Sequence, residues 1–467
     1  MSQFNEINEK IGRYRWTICG LVFFATTVNY LDRNVLGLLK ETLSAHGVFG
    51  EGKAEQELNY STVVICFQFT YALGMLAAGR LIDWIGTKAG YAWSLIGWSF
   101  AAIGHAFGHH TWSFGFWRAA LGLAEAGNFP AANKTIAEWF PRKERALATG
   151  LYNSGANIGA VVAPLTVPYI AEWWGWEWAF ILTGVVGFLW LFFWFRQYSS
   201  PTEALKSGKL SQLEYDYING DREESALATP TGPKVRWFSL LAFRQTWAFI
   251  LGKFLTDPIW WFYMFWLPAF LGSENTRKFD AFRVANPGFT GVAADVPGYI
   301  SWPFAVAVVY TIATCGSILG GWLPKKFITG GMDPSKARKL SMFIFALFPL
   351  VMLVASRLGA INTWLAVGTI AVACSAHQAW SANIFTTVSD MFPKRAVGSI
   401  TGIGGMAGGV GGIMIARAAG LLLAHYTDLG HIETAYNILF VVCGTGYLVA
   451  WVVMHLLVPK FKLVQLD

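Results

Sequence analysis

FPRKERALATGLYNSGANIGA, residues 140–160, is a basic turn running into a glycine-containing helix, and a second version of it lies 252 positions further on. There, residues 392–412 read FPKRAVGSITGIGGMAGGVGG. Laid over each other without a gap, Phe-Pro meets Phe-Pro, two basic residues meet two, Thr149-Gly150 meets Thr401-Gly402, and Gly159 meets Gly411. Glu138 falls on Asp390 and, upstream, Glu125 falls on His377. One match of this kind is within chance. Both copies, however, follow the fourth long apolar run of their half, so the chain reads as one unit duplicated in parallel. Each half then carries one ionisable residue at the same depth of its fourth helix.

The rest of the sequence says what that unit is made of. Of 467 residues, 54% are apolar and only 13% charged, a composition outside the range of soluble domains. Apolar runs predict helices near 16–40, 58–79, 89–109, 112–138, 146–171, 177–197, 245–271, 299–323, 338–356, 361–388, 397–424 and 434–458. Twelve transmembrane helices make an all-α membrane protein of two pseudo-symmetric six-helix bundles, residues 1–197 and 245–467. The polar stretch 198–244, rich in charge, Ser, Pro and Gly, is expected to be a cytoplasmic linker. With both termini cytoplasmic, 24 of the 35 Lys and Arg fall on the inner side and six on the outer, as the positive-inside rule asks. That bias accounts for the net charge of +7 without a nucleic-acid partner, the basic side facing anionic lipid. The polar N-terminus and long first apolar run predict no cleavable signal peptide. Cys19, Cys66, Cys315, Cys374 and Cys443 stand singly in apolar segments and read as small buried hydrophobes. No metal and no cofactor is expected.

Between the second and third predicted helices, GRLIDWIGTKAG, residues 79–90, resembles the loop signature of the major facilitator superfamily. Gly79, Asp83, Gly86 and Lys88 fit it, while Trp84 stands where a basic residue is usual. The second-half counterpart GGWLPKKFITGG, residues 320–331, is degenerate because Lys325 replaces the acid. The resemblance implies that this loop gates the cytoplasmic side, its Asp sitting at a helix N-terminus. A narrower likeness runs through NYLDRNVLG in the first helix, RAALGLAEAGNFPAANKTIAEWFPRKERALATG through the fourth, GKFLTDPIWWFYMFWLP in the seventh and AHQAWSANIFTTVSDMFPKR through the tenth. These look like the anion:cation symporter branch, and most like its proton-coupled hexuronate transporters for galacturonate and glucuronate. The resemblance implies a monomeric secondary transporter of the bacterial inner membrane, importing a hexuronate with protons by alternating access of its halves. The alternative within the branch is another organic anion, such as an aldonate.

A sugar acid in a low-dielectric cavity needs a cation for its carboxylate and polar partners for its hydroxyls, and charges inside spans are costly enough to serve function. Arg33 is the first candidate for the carboxylate, because a guanidinium grips it bidentately and stays charged. The plain alternative is an ion pair bracing helices one and four. Lys253 is a second positive contact, with Asp257 at i+4 as its obvious partner. Proton coupling asks for a carboxyl poised between desolvation and a nearby arginine, and Asp32 and Glu125 are the candidates. Arg118, seven residues before Glu125, shares its helix face. Together these four form a network in which protonating a carboxylate frees an arginine; the alternative is a permanently ionised structural set. The resemblance assigns the proton-carrier role to Asp32 and Glu125, and substrate-contacting tyrosines to Tyr30 and Tyr71.

His377, with Gln378 and Asn383, reads as recognising sugar hydroxyls rather than carrying protons. Trp260, Trp261 and Tyr263 offer flat walls for a pyranose ring. Of Asn153 and Asn157, one turn apart on the fifth helix, one is expected to face the cavity. The aromatic run EWWGWEW, residues 172–178, fits an interfacial belt. Glycines of the eleventh helix suit close packing, and Arg417 receives no transport role. No nucleophile–base set marks an enzyme, and two dissimilar, singly charged halves suit alternating access better than a pore lined by charge rings. The alternative of another class is a membrane sensor that binds a sugar acid without net transport.

Overall fold

The computed structural model describes residues 11–226, 237–297, 299–392 and 394–465. Twelve spanning helices follow one another, called first to twelfth below. The first six are Tyr14–Leu38, Lys53–Ile85, Thr87–His105, a fourth in two pieces (Thr111–Glu125 and Asn128–Trp139), Arg142–Trp174 and Trp176–Gln197. The second six are Arg244–Ala285, Trp302–Thr329, a ninth from Pro334–Leu347 through a 3₁₀ segment to Ala355–Ile361, then Thr363–Met391, Lys394–Asp428 and Ile432–Leu457. The fourth span breaks for a local reason. Pro130 has no N–H for the Ala126 carbonyl, so the helical ladder fails there and Glu125 becomes the last residue of the first piece.

Among the described residues, seven helices are long and apolar enough to cross a membrane by length and composition alone. Of the five spans that fall short, the third is rich in Gly and Ser. The fourth is broken into two pieces of 15 and 12 residues, too short to qualify, and carries Arg118 and Glu125; the first carries Asp32 and Arg33, the seventh Lys253 and Asp257, and the tenth His377 and Gln378. The hydrophobic deficit is thus concentrated in corresponding spans of the two halves, where polarity serves something other than membrane insertion.

The halves meet where the second span packs on the eleventh, the fifth on the eighth and the first on the seventh. Closeness of approach changes along the second–eleventh crossing. A Cβ at Gly420 would collide with Ser61 Oγ; one at Gly409 would stand 2.9 Å from Ala72 Cβ, and one at Gly405 3.8 Å from Met75 Cε. At Gly79, further along the same line, a Cβ would meet nothing within 4 Å. The helices are therefore in tight contact toward the face opposite the chain ends and splay apart toward the face that bears them. On the closed face, Tyr60 donates its hydroxyl across the halves to the Phe265 carbonyl (2.7 Å), and the buried Lys40–Glu57 pair (2.5 Å) lies beside the Tyr60 ring. The space between the halves opens at the other face.

The stretch 198–244 is more structured than its polar composition suggests. Helices Pro201–Lys206 and Gln212–Ala226 form within it, and residues 227–236 lie outside the described ones. Ser200 and Glu203 cap the first of these reciprocally, and the Ser200 amide holds the Glu203 carboxyl below the ordinary carboxylate range. Glu214 docks the second helix on the first bundle. It accepts from the amides of Tyr14 (3.2 Å) and Arg15 (3.1 Å) at the start of the first span, and from the Arg15 guanidinium (3.1 Å). Arg15 also pairs with Glu144 of the fifth span at 2.8 Å.

Candidate functional site

Asn29 and Arg33 are one helical turn apart, so they share a face of the first span, and Arg33 Nη2 donates to Asn29 Oδ1 at 3.2 Å. Glu125, at the break in the fourth span, accepts at Oε2 from Arg33 Nε (2.9 Å), and Arg33 Nη2 is ion-paired with the same oxygen at 2.8 Å. Arg118, on the same face as Glu125, donates from Nη2 to the Arg33 carbonyl at 3.2 Å. Around the Arg33 guanidinium stand the rings of Tyr30 and Tyr71 (4.8 Å to each centroid), Phe67 (5.4 Å) and Trp261 (5.5 Å). Three of these rings belong to the first half and Trp261 to the second, so the cation sits where the halves meet. Ion pairing and cation–π contact together offset the desolvation of a guanidinium that is only 2% exposed. Among the described residues nothing accepts from Nη1.

Asp32 points elsewhere. The turn of about 100° between neighbouring helical residues directs it toward the sixth span. There the Thr183 hydroxyl is donated to the Phe180 carbonyl (3.2 Å), and among the described residues neither Asp32 oxygen finds a hydrogen-bond partner. The expected four-residue network is therefore divided. Arg33, Arg118 and Glu125 are joined, while Asp32 is buried behind them, within electrostatic reach of Arg118 and Glu125 but unpaired. Glu125 Oε1 and Arg118 Nε and Nη1 are likewise buried without partners among the described residues. Fully buried polar atoms are normally satisfied, so this cluster marks an interior built for something besides packing.

In the second half, His377 stacks on Trp260 (4.8 Å between ring centroids, 12° between planes) and its Nδ1 meets the Tyr447 hydroxyl at 2.6 Å. Gln378 Nε2 reaches Asn157 Oδ1 of the first half at 3.5 Å. Asn157 is thus the asparagine turned toward the opposing half, while Asn153 is exposed. Lys253 pairs with Asp257 (2.7 Å) and lies over the Phe385 ring (4.3 Å), so its charge already has a partner. Asn383 does not join this group: its amide donates to the carbonyls of Gly320 (2.7 Å) and Ala379 (2.8 Å), nearer the open face. Tyr263 is buried in the packing of its own half.

Three contributors were missed in the sequence. Asn29 had a signal, its i−4 spacing to Arg33. Gln68 also had one, an amide in an apolar run; it is buried, its side-chain atoms lack partners, and it lies beside Gly412 and Trp261 near the Arg33 cage. Tyr447 had none, because a tyrosine in a twelfth span reads as ordinary packing. In the loop signature, Gly86 ends the second span with φ of 87°, which glycine adopts without strain. Gly79 borders open space, the Lys88 carbonyl accepts from Trp194 Nε1 (3.1 Å), and the Asp83 side chain lies outside the described residues. The repeat mates Glu138 and Asp390 hold equivalent corners, accepting from Thr87 Oγ1 and Arg338 Nε at 2.6 Å each.

The sequence profile described as Major Facilitator Superfamily matches residues 22–416. A protein named hexuronate transporter, from Escherichia coli (strain K12), is 29% identical over 454 residues, covering 96% of this chain and 95% of its own. A D-galactonate transporter of Escherichia coli O6:H1 is 28% identical over 430 residues, covering 89% and 91%. Among solved structures, that of a D-xylose-proton symporter superposes with a TM-score of 0.71 at 13% identity, over 97% of this chain and 100% of the other, a likeness of fold.

Proposed function

The chain belongs to the Major Facilitator Superfamily, and on that premise we propose that it imports a hexuronate, galacturonate or glucuronate, together with protons by alternating access. It is a transporter and not an enzyme. The observation that carries the proposal is the Arg33 cage, a buried guanidinium at the meeting of the halves, held by one carboxylate and ringed by aromatic side chains. Such a group recognises a carboxylate bidentately, and the rings around it shape a flat apolar slot for a sugar. His377, Gln378 and Asn157 supply polar partners for hydroxyls, and Trp260, Tyr30 and Tyr71 the walls.

Coupling follows from the Arg33–Glu125 pair. With Glu125 ionised, Arg33 is already neutralised and has little to offer a second anion. A proton on Glu125 removes that competitor, and a substrate carboxylate takes its place, so proton and anion bind in concert. Asp32, buried and unpaired, is a second carboxyl able to take a proton without breaking any bond of the cage. With the chain ends in the cytoplasm, the side the positive-inside bias favours, the open face is the inward one; in this reading the protein works as a monomer in the bacterial inner membrane.

The relatives' names support the sugar-acid class, and the galactonate relative keeps an aldonate as the second reading. The Trp260–His377 stack favours a cyclic acid, whose ring can lie against it. Thermal unfolding of the purified protein against a panel of hexuronates and aldonates separates the two. A hexuronate at a hundred times its Kd is expected to add about 2.7 kcal/mol of stability. Stabilisation by aldonates alone would overturn the hexuronate assignment.

A further inference from the structure

The second half holds a cavity of about 230 Å³ toward the open face, lined by Gly320, Pro324 and Lys325 of the eighth span, Asn383 and Thr386 of the tenth, and Arg338 of the ninth. Asn383 and Thr386 lie five and eight residues beyond Gln378. At about 1.5 Å of rise per residue, that is roughly 8–12 Å further toward the open face, outside the Arg33 cage.

The internal duplication shows what occupies the corresponding corner of the first half. Thr386 is the repeat mate of Lys134 at the 252-residue offset, and Lys134 extends there to the Ile82 carbonyl, donating at 3.2 Å. Thr386 is too short to do the same and bonds its own helix at the Ala382 carbonyl (2.8 Å). The corner is left as open space. Its charge is reversed as well, since Lys325 follows Gly321 at the four-residue spacing that Asp83 keeps from Gly79 in the first half's loop. Among the described residues Lys325 has no ion-pair or hydrogen-bond partner, and Arg338 commits only Nε to Asp390, leaving both terminal nitrogens unbonded. Asn383 is 1% exposed, lines the cavity, and its Oδ1 has no partner. Two cations and a residue with a buried, unpartnered acceptor therefore line space that the duplicated corner fills with a lysine.

We propose that this corner is a second anion site, which takes a small oxyanion carrying a hydroxyl. Lys325 and Arg338 meet the negative oxygens, and Asn383 Oδ1 accepts from the hydroxyl. At about 30 Å³ per water, the cavity has room for roughly seven waters, the scale of a phosphate or a short hydroxy-carboxylate. Two sources share that chemistry: an acid released at the open face, and the phosphate of a lipid headgroup. The site stands whatever the central cage carries.

Inorganic phosphate is the probe, titrated calorimetrically into the full-length protein in neutral detergent. The wild-type protein is expected to bind it. Lys325→Gln is expected to weaken binding about tenfold, the value of one charge-assisted contact, and Lys325→Arg to retain it. Arg33→Ala, which removes the central cation, is expected to leave phosphate binding unchanged. Because Lys325 is exposed and unpaired, an unaltered melting temperature will show that Lys325→Gln is folded. No phosphate binding by wild type, equal binding by Lys325→Gln, or loss of binding in Arg33→Ala each overturns the site. Nanodiscs then identify the source: competition in phosphatidylglycerol but not phosphatidylcholine assigns it to a headgroup, and equal affinity in both assigns it to a soluble anion.

Discussion

The Arg33→Ala protein is expected neither to bind a sugar acid nor to carry one into liposomes. A bidentate guanidinium–carboxylate contact comprises two charge-assisted hydrogen bonds, so its loss costs on the order of 3–5 kcal/mol, roughly a hundredfold to several-thousandfold loss of affinity. Radiolabelled galacturonate uptake and ligand-dependent melting measure the two consequences separately. The variant also leaves Glu125 buried without its partner, so the unliganded protein is expected to melt lower than wild type. Arg33→Lys distinguishes recognition from bracing. An ammonium can still pair with Glu125 but cannot present a fork to substrate, so this variant is expected to recover most of the stability and little of the transport. Full transport by Arg33→Lys would reduce Arg33 to a strut between the first and fourth spans.

Glu125→Gln is expected to separate exchange from accumulation. The amide mimics the protonated carboxyl and leaves Arg33 permanently available to substrate, so counterflow of labelled for unlabelled sugar acid persists. Uptake driven by a pH gradient falls to background, because nothing at the cage takes up or gives off the proton. The carboxamide fits the same space, which makes global unfolding a poor explanation for so selective a loss. Intact gradient-driven uptake in this variant would move the coupling role away from Glu125, with Asp32 the next carboxyl to test.

Much of this architecture was legible in the chain. The 252-residue offset revealed the duplication, and charges inside the first, fourth and seventh spans pointed to where the polar cluster lies. The Arg33–Glu125 pairing was also legible, because two opposite charges in neighbouring spans have few other ways to be neutralised. Neighbouring helical residues diverge by about 100°, which separates Asp32 from Arg33, but that phase does not say that Asp32 meets Thr183, since phase fixes directions and only tertiary packing fixes neighbours. Pro130 was visible too, yet a proline in a span kinks or breaks it according to surroundings the sequence does not state. The docking of residues 212–226 was hidden for another reason. A stretch that is polar on average needs only one buried contact, here Glu214 on the first span's amides, to hold it in place. Asn383 looked like a partner of His377 because both lie on the tenth span, but its six-residue displacement carries it toward the open face.

Proton-coupled carriage of a sugar acid through the Arg33 cage is tested most directly by purified wild-type protein in liposomes with an imposed pH gradient, acidic outside, and labelled galacturonate outside. Accumulation above the external concentration, collapsing when a protonophore dissipates the gradient, is the predicted result. Saturable binding of galacturonate without accumulation would contradict it and leave a membrane sensor of sugar acids in its place.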